Sequence, residues 1–148
     1  MERQFDAFLI SDEKQLLQLE RIYEMLRGTY WAKERLRETI ARAIENSLCF
    51  GVYADGAQIG FARCVTDYAT TFLLADVIVD ERYRGRGIGK ALVPFILSHE
   101  LLQGLIGTLA TRDAHALFPR KIPSIHAHRN PRHARRARAL REIRVCAG

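Results

Sequence analysis

The stretch from Asp76 to Leu92 constrains this chain more than any other. Asp76-Val77-Ile78-Val79 reads as the end of a strand and Arg84-Gly85-Arg86-Gly87-Ile88-Gly89 as a glycine-rich turn. Lys90-Ala91-Leu92 continues into a helix with Ile88, Leu92, Phe95 and Ile96 on one side. Glycines let consecutive backbone N–H groups bend around an anion with no side chain in the way. The first N–H groups of a helix have no partner within it, and the helix dipole adds about half a positive charge at that end. With Arg84, Arg86 and Lys90 around it, the turn predicts a diphosphate seat.

Spacing narrows which diphosphate. The dinucleotide fingerprint needs Gly-x-Gly-x-x-Gly, but Gly85, Gly87 and Gly89 are spaced two and two. The nucleoside-triphosphate loop needs Gly-Lys followed by Ser or Thr, and a glycine five residues before its second one. Here Gly89-Lys90 is followed by Ala91, and Arg84 stands where the first glycine should be.

The rest of the chain supplies a mixed scaffold. Residues 4–10 read as a first strand, and Asp12 with Gln15 as a capping box. Leu16, Leu19, Ile22, Tyr23 and Leu26 then trace an amphipathic helix ending near Gly28. Leu36, Ile40, Ala43 and Ile44 mark a second helix. The period then changes to two. Leu48 to Tyr53 and Gln58 to Thr66 read as strands joined by an Asp55-Gly56 turn. Thr70 to Val79 reads as a further strand, its run Phe72-Leu73-Leu74-Ala75 suited to burial on both faces. Gly104 is expected to close the helix after the glycine turn. Leu105 to Thr111 is one more strand, and Asp113 caps a short helix through Phe118.

Charge divides the chain at one point. Residues 1–118 hold 14 Lys and Arg against 16 Asp and Glu, whereas residues 119–148 hold 9 against 1. The basic character therefore belongs to the last segment. That segment has no aromatic residues for base stacking, which argues against nucleic-acid binding. No run of 18 apolar residues exists, so no membrane partner is expected. Cys49, Cys64 and Cys146 are an odd number at wide spacings, which points to a reducing compartment, by default the cytoplasm. They form no close ligand pair, and no metal site is expected.

Arg84-Gly85-Arg86-Gly87-Ile88-Gly89 matches an Arg/Gln-x-x-Gly-x-Gly/Ala signature, and here the chain resembles the GCN5-related N-acetyltransferases, the GNAT superfamily. Asn46 to Tyr53, Gly60 to Arg63, Thr66-Asp67-Tyr68 and Thr111 to His115 extend the likeness to a compact bacterial-type subgroup, over roughly residues 4–118. The implied fold is α/β: a mixed, largely antiparallel central sheet with helices on both faces. The implied activity moves an acetyl group from acetyl-CoA to a primary amine, small or on a protein, by direct attack in a ternary complex. Val77 and Val79 would bond the pantetheine arm through their backbones. Arg84, Gly85, Arg86, Gly87, Ile88, Gly89 and Lys90 would hold the pyrophosphate. The strands at 70–79 and 105–111 would splay to leave the coenzyme slot. Asp76 is the first candidate for the acceptor-side base, and Tyr30, Trp31, Asp67 and Tyr68 are candidates to line the acceptor pocket. A homodimer is compatible with the resemblance. Two alternatives stand beside the enzyme: a non-catalytic acyl-CoA-binding or regulatory domain, and a nucleic-acid binder acting through the tail.

The likeness stops where the composition changes. The family places a tyrosine, which protonates the departing thiolate, where this chain has Phe118, and from Pro119 the expected ending gives way to the basic segment. A shifted reading frame in the coding sequence would produce that coincidence. Residues 1–118 are thus read as the acyl-CoA-binding domain and 119–148 as an atypical basic tail in which the terminal strands are absent or altered.

Overall fold

A computed structural model describes residues 1–111 and 125–129. Seven strands form one sheet in sequential order: β1 (Glu2–Phe5), β2 (Phe8–Ser11), β3 (Leu48–Ala54), β4 (Ala57–Thr66), β5 (Thr71–Val79), β6 (Ile106–Thr111) and β7 (Ile125–Arg129). The pairs from β1 to β5 are antiparallel, and β5–β6 and β6–β7 are parallel. Helices α1 (Leu19–Arg27) and α2 (Arg37–Glu45) lie between β2 and β3, and α3 (Ile88–Leu97) between β5 and β6.

Strand periodicity sorts the apolar side chains into two cores, one on each face. Phe50, Cys64, Phe72 and Leu74 pack with Ile88, Leu92, Phe95 and Ile96 of α3. Cys49, Phe61 and Ile78 pack with Ile22, Met25 and Leu26 of α1 and Ile40 of α2. The expected mixed sheet with helices on both faces is therefore present.

Several local expectations are corrected. The single strand at 4–10 is a hairpin: Phe5 pairs with Phe8, and Asp6 turns the chain at a φ of 50°. Aspartate tolerates that left-handed region better than most residues. Asp12 caps no helix; its carboxylate pairs with the N-terminal ammonium and, at 2.8 Å, with Nε2 of His99. Burial of Asp12 works against its charge, but those two hydrogen bonds outweigh it and hold its carboxyl below the usual range. Helix α1 starts later, at Leu19, after Gln18 has bonded the β3–β4 turn through the Gly56 carbonyl. Leu16 and Leu36, read as part of the helical stripes, precede those helices and are exposed.

The run at 72–75 is not covered on both faces: Phe72 and Leu74 are buried, whereas Leu73 is exposed. Helix α3 ends at Leu97 with Ser98 as its C-cap, and Gly104, at a φ of 77°, turns the chain toward β6. The terminal strands are not all absent, since β7 pairs with β6 from Gly107↔Ile125 to Thr111↔Arg129. The expected helix after Asp113, with His115 and Phe118, lies outside the described residues. So do the tail positions other than 125–129.

Gly51 and Tyr53 give the first prediction. Both lie on one face of β3, and the Tyr53 hydroxyl is buried with no hydrogen-bond partner. A Cβ built on Gly51 would stand 2.1 Å from that hydroxyl, so the ring fills the space glycine leaves. Tyr53→Phe removes an unsatisfied buried polar group and is expected to hold or raise stability, by about 1 kcal/mol. Gly51→Ala overpacks the same spot and is expected to cost about 2–3 kcal/mol. Urea unfolding of the two variants checks the pair of signs.

Candidate active site

The site is where β5 and β6 part. Their pairing covers only Thr71–Leu74 against Ile106–Leu109. Past that point β6 stays with β7 through Ala110 and Thr111, and β5 stays with β4. The β5–β6 pairing thus ends at Leu74, where the expected splay would begin. A β-bulge follows: Arg63 pairs with Ala75 and Phe61 with Ile78, so Asp76 and Val77 together oppose one residue of β4. Asp76 adopts a φ of 52° within the bulge. An extra residue of this kind bends a strand and re-aims the residues after it.

Beyond the bulge, the Asp80 N–H donates to the Ile59 carbonyl of β4 at 2.8 Å. Backbone groups alternate sides along a strand, so those of Val77 and Val79 point away from β4. Val79 is not wholly available there, because Arg84 Nε donates to its carbonyl at 3.2 Å. Among the described residues that leaves the Val79 N–H and the Val77 backbone without a strand partner on that side.

The glycine turn comes next along the chain. Asp80 accepts from the Arg82 N–H at 3.0 Å and starts a short 3-10 turn over Glu81–Tyr83. Its carboxylate also pairs with the side chains of Arg82 at 2.8 Å and Arg21 of α1 at 2.9 Å. The hydrogen bond from the Arg82 side chain leads the causes that hold the Asp80 carboxyl well below the usual range. Asp80 and Arg21 carry no sequence motif that would single them out; their contact ties α1 to the end of β5.

Gly85 and Gly87 both take left-handed φ values, 80° and 78°, and Gly87 is the N-cap of α3. A Cβ on Gly85 would meet nothing within 4 Å, so that glycine is required by its backbone conformation rather than by crowding. The first helical bond runs from the Ala91 N–H to the Gly87 carbonyl at 3.0 Å. The N–H groups of Ile88, Gly89 and Lys90 therefore have no partner within the helix. Arg86 lies over the Tyr83 ring, 5.3 Å from its centroid, so its charge is held beside the turn. These residues fit a pyrophosphate: N–H groups without a partner in the helix, glycines that lack a Cβ at Gly85, Gly87 and Gly89, and flanking cations.

The acceptor-side candidates separate. Asp76 is 5% exposed at its side chain, and one oxygen, Oδ2, accepts from Arg63 Nε at 2.7 Å and from Arg35 Nη1 at 2.8 Å. Arg63 also donates from Nη1 to Ser47 Oγ at 3.2 Å. A carboxylate gripped by two guanidiniums, with its side chain covered, is held firmly against the bulge. Tyr30 and Trp31 stand exposed in the α1–α2 connection, edge to face at 5.0 Å, in the segment that Arg35 ties to the bulge.

Asp67 and Tyr68 are not brought to the opening. They form the β4–β5 turn, at the end of β5 where it is still paired with β6, about 16 Å or more along the strand from Asp76. Asp67 accepts from the Thr70 hydroxyl and from the N–H groups of Thr70, Ala69 and Thr71. Those bonds, the Thr70 hydroxyl first, hold its carboxyl well below the usual range. Burial pushes the Cys49 thiol up to about 11 and that of Cys64 up to about 12, so neither is a thiolate nucleophile near neutrality. Among the described residues no group of three or more His, Cys, Asp or Glu could hold a metal ion. Among them, too, no helix is long and apolar enough to cross a membrane.

Comparison with known proteins agrees with this geometry. A model of the acetyltransferase (GNAT) family matches residues 16–120. The crystal structure of a candidate acetyltransferase of that family from Xanthomonas campestris pv. campestris is 43% identical, with a TM-score of 0.73 over 77% of this chain and 82% of that one. A Staphylococcus aureus protein of unknown function, 21% identical, shares the fold with a TM-score of 0.61 over 74% of this chain and 84% of that one. An uncharacterized N-acetyltransferase of Prochlorococcus marinus is 31% identical over 86 residues, 55% of this chain and 47% of that protein. The chain thus spans about half the length of that curated relative.

Proposed function

Since the chain belongs to the acetyltransferase (GNAT) family, we propose that it transfers an acetyl group from acetyl-CoA to a primary amine. The observation that carries this reading is the joining of two features in one segment. The β5–β6 pairing ends at Leu74, short of Val77 and Val79, and the glycine turn at the end of the same strand offers an anion seat. An extended molecule with a diphosphate at one end and a reactive thioester at the other fits both.

In this reading the N–H groups at Gly85 to Lys90 receive the pyrophosphate, with Arg84, Arg86 and Lys90 around it. The Val77 backbone and the Val79 N–H align the pantetheine arm. The neutral amine attacks the thioester carbonyl, a C–N bond forms, the C–S bond breaks, and the thiolate leaves and takes up a proton. Alignment and stabilisation of the oxyanion are the main tasks of the protein. The buried thiols of Cys49 and Cys64 favour direct transfer over an acyl-cysteine intermediate. Tyr30 and Trp31 are proposed to border the acceptor, with Asp76 as a positioning residue. A cytoplasmic location and a homodimer belong to the same proposal, as does a frame-shifted origin of residues 119–148, which reading the coding sequence in three frames tests.

Release of coenzyme A thiol, followed over a panel of amines, tests the function. Amine-dependent release with an acetylated product of matching mass is expected. Coenzyme binding without transfer to any amine would favour the non-catalytic domain instead.

A further inference from the structure

The Asp76 cluster occupies a particular place. Arg63 lies on β4 beside Cys49 of β3, a residue of the core that α1 and α2 cover, so the cluster is on the sheet face opposite α3. Asp76 lies just past Leu74, the last β5 residue paired with β6. The charges of the cluster do not cancel: two guanidiniums face one carboxylate, a net of one positive charge. The partners are closed in unequally, with Asp76 5% exposed, Arg63 16% and Arg35 26%. A guanidinium carries five N–H donors in a fixed fork. Among the described residues Arg35 uses Nη1 alone, and Arg63 uses Nε and Nη1. Both arginines therefore keep unused donors, those of Arg35 being the more exposed, while the carboxylate that could attract a cation is covered.

We infer that Arg35, supported by Arg63, receives an anionic group of the acceptor, so that the amine substrate also carries a carboxylate or a phosphate. This rests on the acetyl-transfer reading for the identity of the ligand as an acceptor, but the anion site itself stands on the cluster. A planar fork with spare donors beside an excess positive charge is suited to an oxyanion, and a polycationic acceptor would meet repulsion there. The shared chemistry of carboxylate and phosphate does not separate an amino acid or peptide from a phosphorylated amine. Paired probes of the two types do.

The test uses the full chain saturated with coenzyme A, so that the glycine turn is already filled. N-acetylglycine and N-methylacetamide, acetylated amines that differ by one carboxylate, are titrated while the arginine Nε–H signals are followed by NMR. N-acetylated phosphoethanolamine and N-acetylethanolamine form the phosphate pair. The anionic member of at least one pair is expected to bind about tenfold tighter or more, a difference of about 1.4 kcal/mol. It should move the Arg35 signal, and the preference should disappear in Arg35→Gln. Arg35→Lys, which keeps the charge and loses the fork, should retain part of it, with circular dichroism checking the fold of both variants. Equal affinity within both pairs, or no movement of the Arg35 signal, overturns the inference. If coenzyme A does not bind, the acetyl-transfer reading fails separately. The same titrations without coenzyme then still decide the anion site, since the Arg35 signal distinguishes it from the glycine turn.

Discussion

Placing aspartate at both Gly87 and Gly89 is expected to abolish coenzyme binding while the sheet remains folded. Gly87 sits at a φ of 78° as the N-cap of α3, and Gly89 lies in the first turn of that helix. Each new side chain adds a negative charge beside the unpaired N–H groups that would receive a pyrophosphate, and Gly87→Asp also asks a side-chain-bearing residue to adopt a left-handed backbone. At a coenzyme concentration about a hundred times its Kd, binding should stabilise the parent by about 2.7 kcal/mol. For a chain of this size that is a rise in Tm on the order of 5–10 °C. The double variant should show none of that rise, with its circular dichroism unchanged. An equal rise in parent and variant would remove the pyrophosphate seat from this turn.

The second large effect falls on Asp76. Its carboxylate holds Arg63 and Arg35 at 2.7 and 2.8 Å, and the residue itself turns the bulge at a φ of 52°. Asp76→Ala leaves two partly buried guanidiniums without their shared partner and puts a Cβ-only residue in a left-handed conformation. A loss of about 3 kcal/mol is expected, the lower end of what breaking a buried ion pair costs because Arg35 retains some solvent. Asp76→Asn keeps a residue that tolerates this backbone and can still accept a hydrogen bond, so its loss should be about half as large. Urea unfolding measures both. A general base would behave differently: Asp76→Asn would remove turnover and its pH dependence while leaving stability alone. That outcome would restore Asp76 to the chemistry and contradict its role as a brace.

How much of this is legible in the sequence depends on the range of the interactions concerned. The glycine turn is legible because its requirements are local: Gly85 and Gly87 are needed for their own φ values, and Gly87 to Lys90 form one helix start. The Asp55-Gly56 turn is legible for the same reason, and the change of period at Leu48 marks the first long strand. The hairpin at Asp6 escapes sequence reading because one left-handed aspartate interrupts a run that otherwise alternates. The bulge at Asp76 escapes it because the bulge exists only in register with β4, thirteen residues earlier in the chain at Arg63. Contacts between distant positions, such as Arg21 with Asp80 or Asp12 with His99, leave no spacing to read. Aspartates stand out as candidates for chemistry, yet Asp67 and Asp76 are engaged by neighbours that no motif announces.

Calorimetric titration of the folded parent chain with acetyl-CoA tests the central claim most directly. The account predicts saturable binding at one site per chain, with a Kd near the micromolar range, about -8 kcal/mol. No saturable binding by a folded chain, even at about 1 mM coenzyme where a binding free energy as weak as about -4 kcal/mol would register, would contradict the acetyl-transfer assignment.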